Sequence, residues 1–271
     1  VWGILNVTPD SFSDGGRFAT VERALAHASA MLAEGADVID VGGESSRPPG
    51  ITYGAGALRV PVEEELRRVV PVVEGLVASG ARVSIDTVKP EVARAALAAG
   101  ARIVNDVSNG ADPGVLEAVA EANAELVLMH TRAGGRVDEE TTRYSDVVAD
   151  VLAELERAVE RAVACGVPRA NVWIDPGIGF AKTAAQSLAL LGGMGPFVAS
   201  GHRVLVGASR KSFIARATAP DGDVPPDRRL GGSIAAATMA VLAGAAAVRV
   251  HDVHDTVQAV RLVEASGRVA P

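Results

Sequence analysis

Several stretches of this sequence concentrate groups able to hold an anion or a metal. Asn6-Val-Thr-Pro-Asp-Ser-Phe-Ser-Asp14 is rich in oxygen and amide groups, and Pro9 with the Gly15-Gly16 pair disfavours helix, so it reads as a loop. A loop of this kind can carry ligands for magnesium, which takes oxygen donors and shares them with substrate phosphates; the plain alternative is a polar connection. Gly42-Gly-Glu-Ser-Ser-Arg-Pro-Pro-Gly50 offers Arg47, a planar fork suited to phosphate, beside glycines that let the backbone approach a ligand. A surface arginine at a turn would look the same. Ser209-Arg-Lys-Ser212 has the composition of an anion site, and Arg249 and His251, two residues apart, share one face of an extended segment.

Asp86, Asn105 and Asp175 each close a short apolar run, which places them partly buried. A buried carboxylate without a donor is costly, so each needs a partner. A 2-amino-4-oxo pyrimidine ring supplies adjacent N–H donors for a carboxylate and a mixed donor and acceptor edge for a carboxamide, with Lys211 a candidate for the ring oxygen or nitrogen. The alternative is pairing with Arg and Lys inside the protein.

The elements that must position these groups follow from the alternation of short apolar runs with helical stretches, the pattern of parallel β/α units. Strands are expected at 1–5, 38–41, 82–85, 102–104, 126–129, 172–174, 203–206 and 247–250, which makes eight. Helical patterns lie between them at 21–34, 62–79, 90–99, 113–122 and 144–165, and Gly35, Gly80, Gly100 and Gly166 read as helix ends. Eight such units predict a single (β/α)8 barrel over 1–271, whose chemistry sits at the C-terminal ends of the strands. The residues found there are Asn6, Asp40 with Glu44, Asp86, Asn105 with Asp106, His130, Asp175, Ser209 and His251. Each alone could be a turn or cap residue; their convergence on one face points to a site. Loops after strands seven and eight are the recurrent phosphate site of such barrels.

Composition narrows the classes. Hydrophobic residues make up 48% of the 271-residue chain and aromatics only 3%, so Ala, Val, Leu and Ile must build a sizeable core. A net charge of -7 argues against a nucleic-acid surface. The three lysines are Lys89, Lys182 and Lys211, and the last two fall inside the motifs described next. Cys165 alone can form neither an intrachain disulfide nor a cysteine zinc site, which fits a reducing, cytoplasmic compartment. No membrane partner is expected, because no apolar run is long enough to span a bilayer. The chain opens at Val1, already inside a strand and without methionine, and further native residues are expected ahead of it.

Gly3-Ile-Leu-Asn-Val-Thr-Pro-Asp-Ser-Phe-Ser-Asp-Gly15, Glu44-Ser-Ser-Arg-Pro48, Ser84-Ile-Asp-Thr87, Asn105-Asp-Val107, Met129-His130, Asp175-Pro-Gly-Ile-Gly-Phe180, Ser209-Arg-Lys-Ser-Phe213 and Arg249-Val-His-Asp252 resemble the motifs of the dihydropteroate synthase family, in that family's order and over essentially the whole chain. The resemblance implies that Asp86, Asn105, Asp175 and Lys211 hold a pterin. Asn6 would help bind Mg2+, and Asn6, Arg47, Arg249 and His251 would hold pyrophosphate. Ser46, Pro48, Phe180 and Ser212 would form the aminobenzoate site, where sulfonamides compete in this family. It also implies a homodimer. The chain departs from the family pattern at Ser46 (usually Thr), Pro48-Pro-Gly50 (usually a single Pro-Gly) and Ala181 (usually Gly), and the stretch 51–58 is longer than usual. The second loop is thus where the family's aminobenzoate and sulfonamide affinity is in question.

The reaction implied is dissociative: pyrophosphate leaves, the pterin cation is stabilised by Asp86 and Asp175, and the aminobenzoate nitrogen attacks. It needs no covalent intermediate, in keeping with the lack of an evident Ser-His-Asp triad or activated Cys. A pterin-dependent methyltransferase has no use for Ser209-Arg-Lys-Ser212, and a non-catalytic pterin-binding paralogue would not need Asn6, Arg47, Lys211 and His251 together.

Overall fold

Apolar runs of four or five residues that alternate with helices bury one face under those helices, and the other face is buried here because the sheet closes on itself with the helices outside. The computed structural model describes residues 1–7, 17–45, 60–219 and 224–267, with the backbone alone at 17–20. Its strands form a closed parallel barrel in chain order: β1 (Trp2–Asn6), β2 (Val38–Gly42), β3 (Val83–Asp86), β4 (Ile103–Asp106), β5 (Glu125–Met129), β6 (Val172–Asp175), β7 (Arg203–Val206) and β8 (Ala247–Val250). Outside run α1 (Arg17–Ala33), α2 (Val62–Ala78), α3 (Pro90–Ala98), α4 (Pro113–Glu121), α5 (Val147–Ala164), α6 (Ala184–Gly192), α7 (Gly195–Ala199), α8 (Ser212–Thr218), α9 (Leu230–Leu242) and α10 (Val253–Ala265).

Local chemistry sets the helix limits. Proline opens α3 and α4, where its missing N–H has no partner to lose. The Asp146 carboxylate accepts from Val148 N and Ala149 N, so α5 starts at Val147 rather than at Tyr144, whose side chain is used elsewhere. At the other end of a unit, Gly100 takes φ 105° and packs tightly enough that a Cβ there would lie 2.7 Å from Val77 Cγ1.

Several strands run a residue or two past their expected ends. Asp86 pairs in register with Asn105, and Met129 with Asp175, so the ladder still holds the polar residues that terminate β3, β4 and β6. They are therefore fixed by strand geometry, not by loops.

Inside the barrel, side chains alternate with a period of two. Trp2, Val38, Ile103, Val127, Trp173, Leu205 and Ala247 form a separate apolar cluster drawn from seven strands, with the two indoles edge to face at 5.4 Å. Two residues further along the same faces come Asp40 above Val38, Asn105 above Ile103, Asp175 above Trp173 and Arg249 above Ala247. An apolar floor thus lies under a polar layer at the C-terminal mouth.

Candidate active site

The polar layer is built around one guanidinium. Arg249 Nε donates to Asp40 Oδ2 at 2.5 Å and Nη2 to Asp86 Oδ2 at 2.7 Å, while Asn105 Nδ2 donates to the same Asp40 Oδ2 at 3.1 Å. Asp40 is fully buried and bonded to both Arg249 and Asn105, so it braces the two from within their own layer. Burial pushes the Asp86 carboxyl up to about 7, against the opposing pull of Arg249. A group in that state has a strong demand for further N–H donors. Gly42 keeps the mouth open beside it: a Cβ there would lie 3.6 Å from Asn6 Oδ1 and 3.8 Å from Asp86 Oδ2.

The opposite side of the mouth is formed by β6 and β7. Asp175 Oδ1 accepts from Gly177 N at 2.7 Å, and burial raises its pKa while nearby Lys211 opposes the rise. Lys211 Nζ donates to Ile178 O at 2.5 Å and lies 4.6 Å from the centre of the Phe180 ring. Burial lowers this amine to about 8, with the Asp175 charge acting the other way. Both groups converge over Gly207, where a Cβ would lie 3.6 Å from Asp175 Oδ2 and 3.9 Å from Lys211 Nζ.

His251 and Ser209 form the third group. His251 N donates to Ser209 Oγ at 3.2 Å, and the hydroxyl lies 3.0 Å from Nδ1. Burial, then Arg249 and Arg210, push His251 down to about 4, so it is neutral at pH 7 and its Nδ1 can accept the serine proton. Arg210 behaves differently from the rest of its row. At φ 58° it turns back to form a two-pronged ion pair with Asp252, and its carbonyl accepts from Arg229 Nη1 at 2.8 Å. Its charge braces the loop instead of facing the mouth.

Among the expected site residues, Asp86, Asn105, Asp175, Lys211 and Arg249 thus share one polar mouth, with Asn6 exposed at the end of β1 and His251 following β8. Phe180 stands on the β6 loop against Lys211, and Ser212 is the first residue of α8. Ser46, Arg47 and Pro48 lie outside the described residues. In the sequence Asp40 is only a strand end. Its bracing role was legible in principle, since it shares a strand face with Val38, but its partners lie on β4 and β8. Among the described residues, no group of three His, Cys, Asp or Glu could hold a metal ion. No described helix is long and apolar enough to cross a membrane.

The model of the pterin binding enzyme family matches residues 2–251. The chain belongs to that family. Within it, the chain is 50% identical over 269 residues to the dihydropteroate synthase of Mycobacterium leprae (strain TN), covering 98% of this chain and 92% of that one. A solved structure of Xanthomonas albilineans dihydropteroate synthase with 4-aminobenzoic acid superposes with a TM-score of 0.88 at 45% identity, covering 99% of this chain and 93% of the other. The same enzyme in complex with 7,8-dihydropteroate gives a TM-score of 0.85 at 43% identity, with 99% and 94% covered.

Proposed function

We propose that this chain is a transferase of folate biosynthesis, a dihydropteroate synthase that joins 6-hydroxymethyl-7,8-dihydropterin pyrophosphate to para-aminobenzoate, releasing 7,8-dihydropteroate and pyrophosphate. The observation that carries the reading is the convergence of Asp86, Asn105, Asp175 and Lys211 on one buried mouth, where two carboxyls, a carboxamide and an amine match the edges of a 2-amino-4-oxo pyrimidine fused ring.

Asp86 and Asp175 take N–H donors of the pterin, and Asn105, held by Asp40, reads a mixed edge. Once the pterin's donors engage Asp86, Arg249 is released from that carboxylate to receive a phosphate, with His251 and Arg47 completing the pyrophosphate site. As the carbon–oxygen bond at the pterin methylene breaks, positive charge spreads into the ring, and the two buried carboxylates stabilise it. The aminobenzoate nitrogen then forms the new bond, with Phe180, Ser46, Pro48 and Ser212 around it.

Magnesium fits one feature of the site: Asn6 places a carboxamide oxygen at the exposed mouth, next to where the phosphates would lie, and magnesium is commonly held by few protein oxygens plus substrate phosphates. When bound, the ion supplies charge neutralisation for the leaving pyrophosphate. Residues 1–271 are proposed to form one domain, working in the cytoplasm as a homodimer. The second copy is supported by apolar side chains left exposed on α6 and α9.

The decisive assay mixes the protein with magnesium, the pterin pyrophosphate and para-aminobenzoate, and measures dihydropteroate and pyrophosphate. Both are expected in equal amounts, dependent on aminobenzoate, and Lys211→Ala should lower kcat/KM by about 100-fold. Binding of pterin pyrophosphate without product would instead make the chain a non-catalytic pterin-binding paralogue.

A further inference from the structure

Two of the three lysines have partners that explain them: Lys211 lines the mouth, and Lys89 joins Glu44 and Glu65. Lys182, the third, is 3% exposed. Its amine donates to Phe180 O at 2.9 Å and to His130 Nδ1 at 2.9 Å. His130 has no exposed surface, and its Nε2 lies 2.9 Å from Glu154 Oε2. Burial pushes the imidazole down to about 4, so at neutral pH it can accept from Lys182 at Nδ1 and donate to Glu154 from Nε2. Glu154 is held in turn by Arg132, whose Nε donates at 3.1 Å and whose guanidinium lies 3.9 Å from the centre of the Tyr144 ring. The chain of contacts then returns to the same loop, because Tyr144 Oη donates to Ala181 O at 3.0 Å.

Packing alone does not account for a desolvated amine at this position, since methionine fills a similar volume without the desolvation penalty. The amine has a specific task within a loop of unusual backbone. Gly177, Gly179 and Ala181 all have positive φ (66°, 83° and 50°), and the Phe180 carbonyl between the last two points to Lys182. The Phe180 ring meanwhile sits against Lys211 on the side of the mouth. Releasing the carbonyl would let the peptide turn and carry the ring with it.

We propose that Lys182, oriented by His130 and Glu154, is a positioning residue: by holding the Phe180 carbonyl it sets the ring that forms one wall of the aminobenzoate site, while Gly177 N goes on holding Asp175 and Ile178 O goes on holding Lys211. The assignment of that wall rests on the function proposed above. Lys182→Met keeps the volume and removes the donor. It is expected to raise the KM for aminobenzoate at least tenfold while kcat and the KM for pterin pyrophosphate stay within about threefold. Hydrogen exchange of the amides from 179 to 182 should accelerate at least tenfold, with the amide of Gly177 and the strand amides unchanged. Glu154→Gln, which is less disruptive because Glu154 is partly exposed, should give the same split with smaller size and serves if Lys182→Met fails to fold. Equal effects on both substrates, no effect on either, or accelerated exchange across the whole barrel would overturn the proposal. If the wild-type protein makes no product, the proposed function fails, and the exchange measurement alone decides whether Lys182 sets this loop.

Discussion

Asp86 shows how a single strand-end carboxyl takes its acidity from its surroundings. Its burial and its contact with Arg249 leave it near its titration midpoint at neutral pH, ready to become an anion when a ligand brings N–H donors. Asp86→Asn preserves shape and removes the charge, so kcat is expected to fall by about 100-fold or more; turnover close to wild type would contradict a charge-stabilising role. The pH dependence has a definite sign. Below about 7 the carboxyl of the free protein carries a proton, and the ligand's donors would have to displace it. Affinity for pterin pyrophosphate should therefore decline as pH falls from 8 to 6, approaching a tenfold loss per unit. Titration calorimetry on wild type and Asp86→Asn separates this from phosphate ionisation: an identical slope in both proteins would show that Asp86 is not the titrating group.

At the scale of elements, the turn after β3 is tied to its neighbours through Lys89. The amine binds Glu65 at 2.5 Å, Glu44 at 2.5 Å and Val60 O at 2.6 Å, and Glu65 also accepts from Thr87 Oγ1 at 2.9 Å. Glu65 is 1% exposed and sits in the first turn of α2, so the pair joins that helix to the turn that leads into α3. Removing one partner of such a buried pair leaves an uncompensated charge, and Lys89→Met should destabilise by about 3–5 kcal/mol. Urea denaturation of Lys89→Met beside Lys89→Met with Glu65→Leu checks the cause. If the double variant is no more stable than the single one, the stranded carboxylate is not the origin of the loss. This contact was not legible in the sequence, where Lys89 precedes Pro90 as an ordinary turn residue, because its partners come from the loop after β2 and from α2.

For the molecule as a whole, closure of the barrel leaves an apolar surface outside it. Met239 and Leu242 are each 45% exposed and stand three residues apart on one face of α9, and Leu188, 41% exposed, lies on α6, which packs against α9. This is the face that the proposed second copy of the chain would cover. Sedimentation equilibrium is expected to give a dimer, and Met239→Glu combined with Leu242→Glu a folded monomer with unchanged circular dichroism; a monomeric wild type would refute the assembly.

The order of the eight strands, the helices between the first six of them, and the ring of polar residues at the strand ends were determined by sequence alone. Both follow from local rules: apolar runs too short for helices, glycines after helices, and a period of two that places Asp40, Asn105, Asp175 and Arg249 on the same faces as the apolar floor. The tertiary structure decided the pairing. Arg249 meets Asp40 across 209 residues and Asp86 across 163, Arg210 turns away to Asp252, and Lys182 turns beneath the loop to His130. Local pattern sets which face a side chain takes. Which partner it finds there depends on the register at which eight strands close, and no stretch of sequence contains that information by itself.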